Sequence, residues 1–196
     1  MHRLVTIVAV LTLSTFVAGC ASTPPSRFYT LSAASGSAAN SSNLSVVVGP
    51  VTVPAVVDRP QIVVNVGANQ VRLEEFNRWA APLQNNIARV VVDNLVRMLG
   101  TPLVTSSAQT LSAEADYRAA VEVQSFQSAP GEAAVLDAVW TVRRSKDGKA
   151  ETGRTTVRET VQEKSYDALA AAHSRAVARL SQDIADAVRA LASSGK

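Results

Sequence analysis

The chain has 196 residues, of which 47% are apolar and only 5% aromatic, enough for one domain with a core built mainly from Val, Leu and Ala. Its formal net charge is +3, and it has no dense run of Lys or Arg of the kind that binds nucleic-acid phosphates. The single cysteine, Cys20, excludes an internal disulfide and a cysteine-based metal site. We therefore expect one domain that binds no nucleic acid, metal or cofactor.

The N-terminus has the order of features typical of a cleavable export signal. A short basic start is followed by an uncharged apolar run at residues 4–16 and then by Val17-Ala18-Gly19-Cys20. Because a bilayer core needs roughly 20 helical residues, the run is too short to span it and fits a secretory signal. The tetrad resembles the lipobox of bacterial lipoproteins, which implies cleavage before Cys20 and covalent lipid on its thiol. The alternative is an ordinary signal peptide with a chance cysteine.

This pattern divides the chain into three parts. We predict a lipoprotein signal peptide at 1–19, a lipidated tether at 20–27 and one domain at 28–196. In Gram-negative lipoproteins an Asp after the cysteine tends to retain the protein at the inner membrane, whereas this chain has Ala21. By that resemblance we expect a protein that is lipid-anchored to the outer membrane and faces the periplasm.

Hydrophobic periodicity and turn residues predict eight strands and two helices in the domain. In chain order these are strands at 28–31, 44–53, 61–66 and 70–74, a helix at 82–99, strands at 103–104, 117–126, 133–144 and 150–161, and a helix at 165–193. Residues 32–43 are rich in Ser, Ala, Gly and Asn without an apolar period, which predicts a mobile loop. The pair Gly49-Pro50 predicts a bend in the second strand.

Local signals mark where several of these elements begin and end. Pro82 suits the first position of the first helix, and Gly100 marks its end. Asp147-Gly148 is a hairpin signal, so residues 116–161 are predicted to form a three-stranded antiparallel meander. Ser165 is a suitable N-cap for the last helix. Together the elements predict an α/β fold, a three-layer sandwich in which a mixed, largely antiparallel sheet is flanked by two amphipathic helices.

No catalytic or metal-binding constellation is evident in the sequence. It contains no nucleophile elbow, phosphate loop or dinucleotide-binding motif. His173 falls on the apolar stripe of the second helix, which predicts a packed histidine, although a Ser-His-Asp arrangement that uses it stays open. Asp183 and Asp186 lie near Arg179 and Arg189, which predicts solvated ion pairs and not a metal site. We therefore expect no catalytic residue.

Several segments together resemble one family. They are residues 17–20, 28–31, 48–54, 58–63, 78–83, 86–90 and 94–95. This set resembles the PqiC/YmbA-type lipoproteins, the auxiliary lipoprotein component of ABC-type, MCE-associated transport systems. The most specific parts are Asp58-Arg59-Pro60-Gln61 and the Arg-Trp-x-x-Pro-Leu block that begins at residue 78. The family often has an aromatic residue near Val56-Val57 and an acidic residue at the position of Ala81, so local contacts can differ here.

The resemblance implies a function that involves no catalysis. It implies an outer-membrane lipoprotein that is a non-enzymatic auxiliary subunit of an MCE/ABC-type system. Such a system moves lipids or hydrophobic molecules between the inner and outer membranes and supports envelope integrity. The implied partners are an MCE-domain protein and an inner-membrane transport complex, and the implied assembly is a homo-oligomer. The alternatives are a periplasmic lipoprotein that regulates cell-wall synthesis or assembles a secretion pore, and a periplasmic hydrolase that uses His173.

The two specific blocks supply the candidate partner-binding residues. These are Asp58, Arg59, Pro60, Gln61, Arg78 and Trp79. In a turn, proline restricts the backbone and the arginine offers a planar group with several donors. The alternative is that Asp58 and Arg59 only pin the turn by hydrogen bonds. Trp79 and Trp140 are each more typical of a core or an interface than of a stacking platform.

Overall fold

The computed structural model describes residues 23–36, 39–106 and 115–194. The predictions for the signal segment, Cys20 and Ala21 lie outside these ranges. The elements are β1 (Arg27–Tyr29), β2 (Val46–Thr52), β3 (Gln61–Gly67), β4 (Gln70–Trp79), α1 (Leu83–Leu99), β5 (Val104–Ser106), β6 (Tyr117–Ala129), β7 (Ala133–Arg144), β8 (Ala150–Thr160) and α2 (Tyr166–Ser193). The predicted α/β class with two amphipathic helices is confirmed, and the strands divide into two mixed sheets. Within the described ranges, neither helix combines the length and the apolar character needed to cross a membrane.

The larger sheet has the strand order β5-β2-β6-β7-β8. Strands β6, β7 and β8 form the predicted antiparallel meander, whereas β2 pairs in parallel with both β5 and β6. The register of β2 shifts between Val48 and Val51, where the sequence predicts a bend. One face of β7 carries Leu136, Ala138 and Trp140, all buried where α2 packs on the sheet. Because side chains alternate between the two faces of a strand, one face of β7 presents the apolar side chains against which α2 packs.

The smaller sheet has the order β1-β4-β3, with β1 parallel and β3 antiparallel to β4. Strand β4 continues to residue 79, whereas the prediction ended it at 74. The prediction stopped there because a bulge interrupts the alternation after residue 74. Gln61 pairs with Arg78 and Ile62 with Glu74, so residues 75–77 have no partner on β3. Asn65 of β3 accepts a hydrogen bond from the Ser128 N–H at 3.0 Å and so joins this sheet to β6.

Helix α1 buries one apolar stripe against α2 and β2. Ile87, Val90 and Leu95 on this stripe have no exposed surface. Pro82 is the N-cap of the helix and not its first residue, one position from the prediction. Gly100 ends the helix in the left-handed region at φ 64°, and a Cβ there would lie 2.1 Å from the Asn40 carbonyl oxygen. A glycine is therefore required both by the backbone and by the chain that passes beside it.

The chain that passes α1 is the N-terminal strap, residues 30–42, of which 37 and 38 lie outside the description. It has no regular structure, as predicted for a loop, but it is hydrogen-bonded along the helix. The Leu31 and Ala34 N–H groups donate to the side-chain oxygens of Asn86 and Asn94 at 3.3 and 2.9 Å. Nearer the helix end, Ala39 N–H and Ser42 N–H donate to the carbonyls of residues 97 and 100. These bonds oppose the mobility that composition predicts.

The β7–β8 hairpin and the end of α2 are joined by one buried arginine. Arg144 is 3% exposed and donates to both carboxylate oxygens of Asp147, at 3.0 and 2.6 Å, and to the Leu191 carbonyl. Hydrogen bonding by this guanidinium lowers the pKa of Asp147 to about 2. At the other end of α2, Ser165 is the predicted N-cap, and its hydroxyl accepts from the Ala168 N–H.

Candidate functional site

The Asp58-Arg59-Pro60 block lies in a turn between β2 and β3 that is held by its backbone. The N–H groups of Val57 and Asp58 donate to the Pro54 carbonyl at 3.0 and 3.1 Å, and Arg59 N–H donates to the Val57 carbonyl at 2.9 Å. The Val57 side chain is buried beneath the turn. Among the described residues, neither the Asp58 carboxylate nor the Arg59 guanidinium has a hydrogen bond or an ion pair. Their side chains therefore do not pin the turn, in contrast to the simpler alternative.

The Arg-Trp block meets this turn at the end of β4. Trp79 N–H donates to the Pro60 carbonyl at 2.7 Å, and Ala80 N–H donates to the Tyr29 carbonyl at 2.8 Å. The two blocks enclose a surface recess of about 300 Å³, which we call the Arg59 recess. Its walls are Asp58, Arg59, Pro60, Trp79, Ala80, Ala81 and Pro82. The structure thus places four of the six candidate residues around one opening.

The other two candidates, Gln61 and Arg78, do not line the recess. They are paired across β3 and β4, and successive residues of a strand point to opposite faces. Since Trp79 faces the core, Arg78 faces outward, where it donates to the Glu75 carbonyl at 2.7 Å. Phe28 of β1 completes this row and is 64% exposed.

The Arg59 guanidinium is partly buried and has no partner among the described residues. Its Nε atom is buried without a partner, whereas its terminal nitrogens are not sealed from solvent. A buried donor that lacks a partner costs roughly 1–3 kcal/mol. Nine other described arginines form ion pairs with carboxylates. Among the arginines that the structure describes, Arg59 is the one that is half-buried with neither an ion pair nor a side-chain hydrogen bond, so its terminal nitrogens are available to a ligand.

Trp79 connects the recess to the core. Its side chain is 4% exposed, and its ring packs edge-on against Phe126 and His173 at centroid distances of 6.2 and 6.3 Å. Its indole N–H has no partner in the described part of the chain, and unlike Arg59 Nε it is not sealed. A buried tryptophan usually hydrogen-bonds its N–H. The ring of Trp79 therefore links the wall of the recess to the buried Phe126 and His173.

His173 is packed in the core, as predicted, and no substrate can reach it. It has no exposed surface, stacks on Phe126 at 3.9 Å, and shares a 2.8 Å hydrogen bond between Nε2 and the Ser128 hydroxyl. Burial lowers the pKa of His173 to about 3, so the ring is neutral at ordinary pH. Across residues 23–36, 39–106 and 115–194, no group of three His, Cys, Asp or Glu residues could hold a metal.

The acidic residues on α2 are paired as predicted. Arg179 Nε lies 3.4 Å from Asp183, and Arg189 lies 2.7 Å from Asp186. Asp183 also accepts a hydrogen bond from Thr155 at 2.7 Å. Asp183 therefore joins α2 to β8, whereas the Asp186 pair is exposed to solvent.

The sequence reasoning missed the residues that hold the N-terminal strap. Asn86 and Asn94 are buried on α1, and Arg89 beside them donates to the Leu31 carbonyl. The signal that could have identified them is two asparagines within the apolar stripe of a helix, because a buried polar side chain is nearly always hydrogen-bonded. What they bind, a backbone segment more than 50 residues earlier, has no local signal.

The comparisons with known proteins agree with this architecture. The family model described as ABC-type transport auxiliary lipoprotein component matches residues 29–185. The fold is similar to a crystal structure described as an uncharacterized protein, with 21% identity, coverage of 84% of this chain and 99% of the other, and a TM-score of 0.69. It is also similar to a Xanthomonas campestris protein grouped under the family model DUF330, with 18% identity, coverage of 87% and 100%, and a TM-score of 0.67.

A comparison with curated proteins gives no match. The two solved structures are less than 25% identical to this chain and therefore show a shared fold alone. The family model, in contrast, spans the whole of α1, most of α2 and both specific sequence blocks. The chain belongs to the ABC-type transport auxiliary lipoprotein component family.

Proposed function

We propose that this protein is a lipid-anchored, non-enzymatic auxiliary subunit of an MCE/ABC-type system that moves lipids or hydrophobic molecules between the inner and outer membranes. The family supports a lipoprotein in an auxiliary transport role. The lipobox-like segment that ends at Cys20 supports an anchor with several acyl chains, which holds a protein stably at a membrane. Ala21 supports location at the outer membrane, with the domain in the periplasm.

The observation that carries the proposal is the Arg59 recess. It is open, and the Arg59 guanidinium in its wall has no partner among the described residues. The one histidine of the domain is sealed in the core beneath it, behind Trp79. A surface built to receive another molecule, without a nucleophile and a positioned base, is what a docking subunit requires. We place the contact with the MCE-domain protein of the transport complex at this recess.

The anchor restricts where this contact occurs. About seven residues separate Cys20 from Phe28, and they extend to at most roughly 25 Å. The recess adjoins the first strand, since Ala80 N–H donates to the Tyr29 carbonyl. The partner therefore meets the domain close to the membrane that holds it. We further propose that several copies of the domain assemble there as a homo-oligomer.

Membrane fractionation, mass spectrometry and affinity purification of the tagged full chain test the proposal. We expect acylated Cys20, an outer-membrane location, and copurification with an MCE-domain protein or a transport permease. Cys20→Ser should leave an uncleaved or mislocalised precursor, whereas the neighbouring Ser22→Ala should be processed normally. Recovery of a peptidoglycan synthase in place of the transport proteins would support a cell-wall regulator. Normal processing of Cys20→Ser would contradict the anchor.

A further inference from the structure

We propose that the Arg59 recess binds a carboxylate that lies beside an apolar side chain in an acidic segment of a protein partner. This inference rests on the proposed function and names the chemistry of its contact. The recess offers the terminal nitrogens of Arg59 as donors, and Trp79 forms part of its wall. A guanidinium presents its N–H groups in a planar fork that matches the two oxygens of a carboxylate.

The walls of the recess indicate what accompanies the carboxylate. Apart from Asp58, Arg59 and Trp79, they consist of Pro60, Ala80, Ala81 and Pro82, whose side chains have no polar atom. The recess has a volume of about 300 Å³ and is open to solvent on one side. An aliphatic side chain fits beside the acidic group.

The charges around the recess favour a peptide over an anionic lipid surface. Lipid headgroups are typically recognised by clusters of four to eight basic residues. Arg59 is the one basic residue among those that line the recess, and Arg78 faces away from it. Two further features change the electrostatic potential in the recess, in opposite directions. Helix α1 begins at Leu83, and it has no side-chain cap and no acidic residue in its first turn, which favours an anion. The unpaired Asp58 carboxylate opposes one.

Nuclear magnetic resonance of the tryptophan indole groups tests the inference directly. The full chain, purified in detergent and labelled with ¹⁵N-tryptophan, has two indole signals. Trp79 lines the recess, whereas Trp140 donates to Thr155 in the core at 3.0 Å and provides an internal reference. The probes are the blocked peptide acetyl-Ala-Leu-Glu-Leu-Ala-amide, its Gln analogue, acetyl-Ala-Leu-Leu with a free C-terminus, and phosphatidylglycerol vesicles.

We expect the Glu peptide to shift the Trp79 signal saturably while the Trp140 signal stays in place. The Gln analogue should bind at least about tenfold more weakly, because it lacks the charge that pairs with Arg59. A stronger response to the peptide with a free C-terminus would identify a chain end as the source of the carboxylate. Equal binding of the Glu and Gln peptides, or a response to vesicles alone, would overturn the inference.

Three variants separate the roles of the charges. Arg59→Gln should abolish the shift, and Asp58→Asn should tighten binding of the Glu peptide severalfold by removal of a like charge. Arg118 is an exposed, unpaired arginine on β6, so Arg118→Gln is the matched control and should change nothing. If Arg59→Gln binds the peptide normally, the recess assignment fails. Copurification of the transport partner with that variant would show that the auxiliary transport role survives, with the partner contact at another surface.

Discussion

Asn94→Ala should release the N-terminal strap from α1. Asn94 has no exposed surface. Its oxygen accepts from Ala34 N–H at 2.9 Å and from the Arg97 guanidinium at 3.0 Å, and its nitrogen donates to the Ser181 hydroxyl at 3.1 Å. No other side chain in the described part of the helix joins the strap to α2 in this way. The substitution therefore removes three bonds at once and leaves a small cavity.

The expected loss follows from these bonds. Each is worth roughly 0.5–1.5 kcal/mol net, so their removal should cost about 2–4 kcal/mol in the free energy of unfolding. For a domain of this size, that corresponds to a decrease in Tm of about 5–15 °C. Asn85→Ala is the matched control, because Asn85 is exposed on the same helix and its side chain has no hydrogen bond to a described residue. It reports the gain in helix propensity that both substitutions share.

Urea unfolding measures the loss in the free energy of unfolding, and limited proteolysis measures the release of the strap. We expect cleavage within residues 30–42 to be faster in Asn94→Ala than in Asn85→Ala, because the strap has lost its contact with the helix. A difference in unfolding free energy below about 0.5 kcal/mol between the two variants would refute the reasoning, since surface substitutions alone produce changes of that size. So would unchanged proteolysis of the strap.

Three further predictions concern the body of the domain. Gly153→Ala should cost about 1–3 kcal/mol in urea unfolding, because its Cβ would lie 2.2 Å from the Trp140 ring, whereas Gly67→Ala meets no contact closer than 3.8 Å and should be nearly neutral. The pKa of Asp147 is lowered to about 2 from 3.8, so its ion pair with Arg144 stabilises the fold fully above about pH 4, and this stabilisation is lost as the pH falls toward 2. Asp147→Asn should therefore reduce the fall of Tm with pH in that range. The pKa of His173 is lowered to about 3 from 6.5, so protonation of the unfolded chain destabilises the fold as the pH falls below 6.5, and His173→Phe should reduce this slope in the same experiment.

The parts of the fold with local signals were predictable. Helix α1 ends at Gly100, α2 begins at its Ser165 cap, and Asp147-Gly148 turns β7 into β8, because each signal acts through the backbone within a few residues. The division into two sheets was not predictable, since the parallel pairing of β2 with β5 and β6 depends on contacts distant in sequence.

In the candidate site, too, the residues were predictable from local signals and the contacts between distant segments were not. The two sequence blocks indicated Arg59 and Trp79, but the hydrogen bond from Trp79 N–H to the Pro60 carbonyl, which brings the blocks together, has no local signal. The sequence also could not show that Arg78 lies outside the recess, because the bulge at residues 75–77 changes the register with β3 just before it. Periodicity predicts which face a residue occupies only while the alternation is unbroken.

The central claim is that this domain docks a transport partner through the Arg59 recess. Its most direct test is the dissociation constant between the purified protein and the MCE-domain protein that copurifies with it, for the wild type and Arg59→Ala, with Tm measured on both. We expect Arg59→Ala to weaken association at least about tenfold while Tm stays within about 2 °C, because the guanidinium makes no hydrogen bond or ion pair with any described residue. Unchanged association, or a loss of association that accompanies an equally large loss of thermal stability, would contradict the claim.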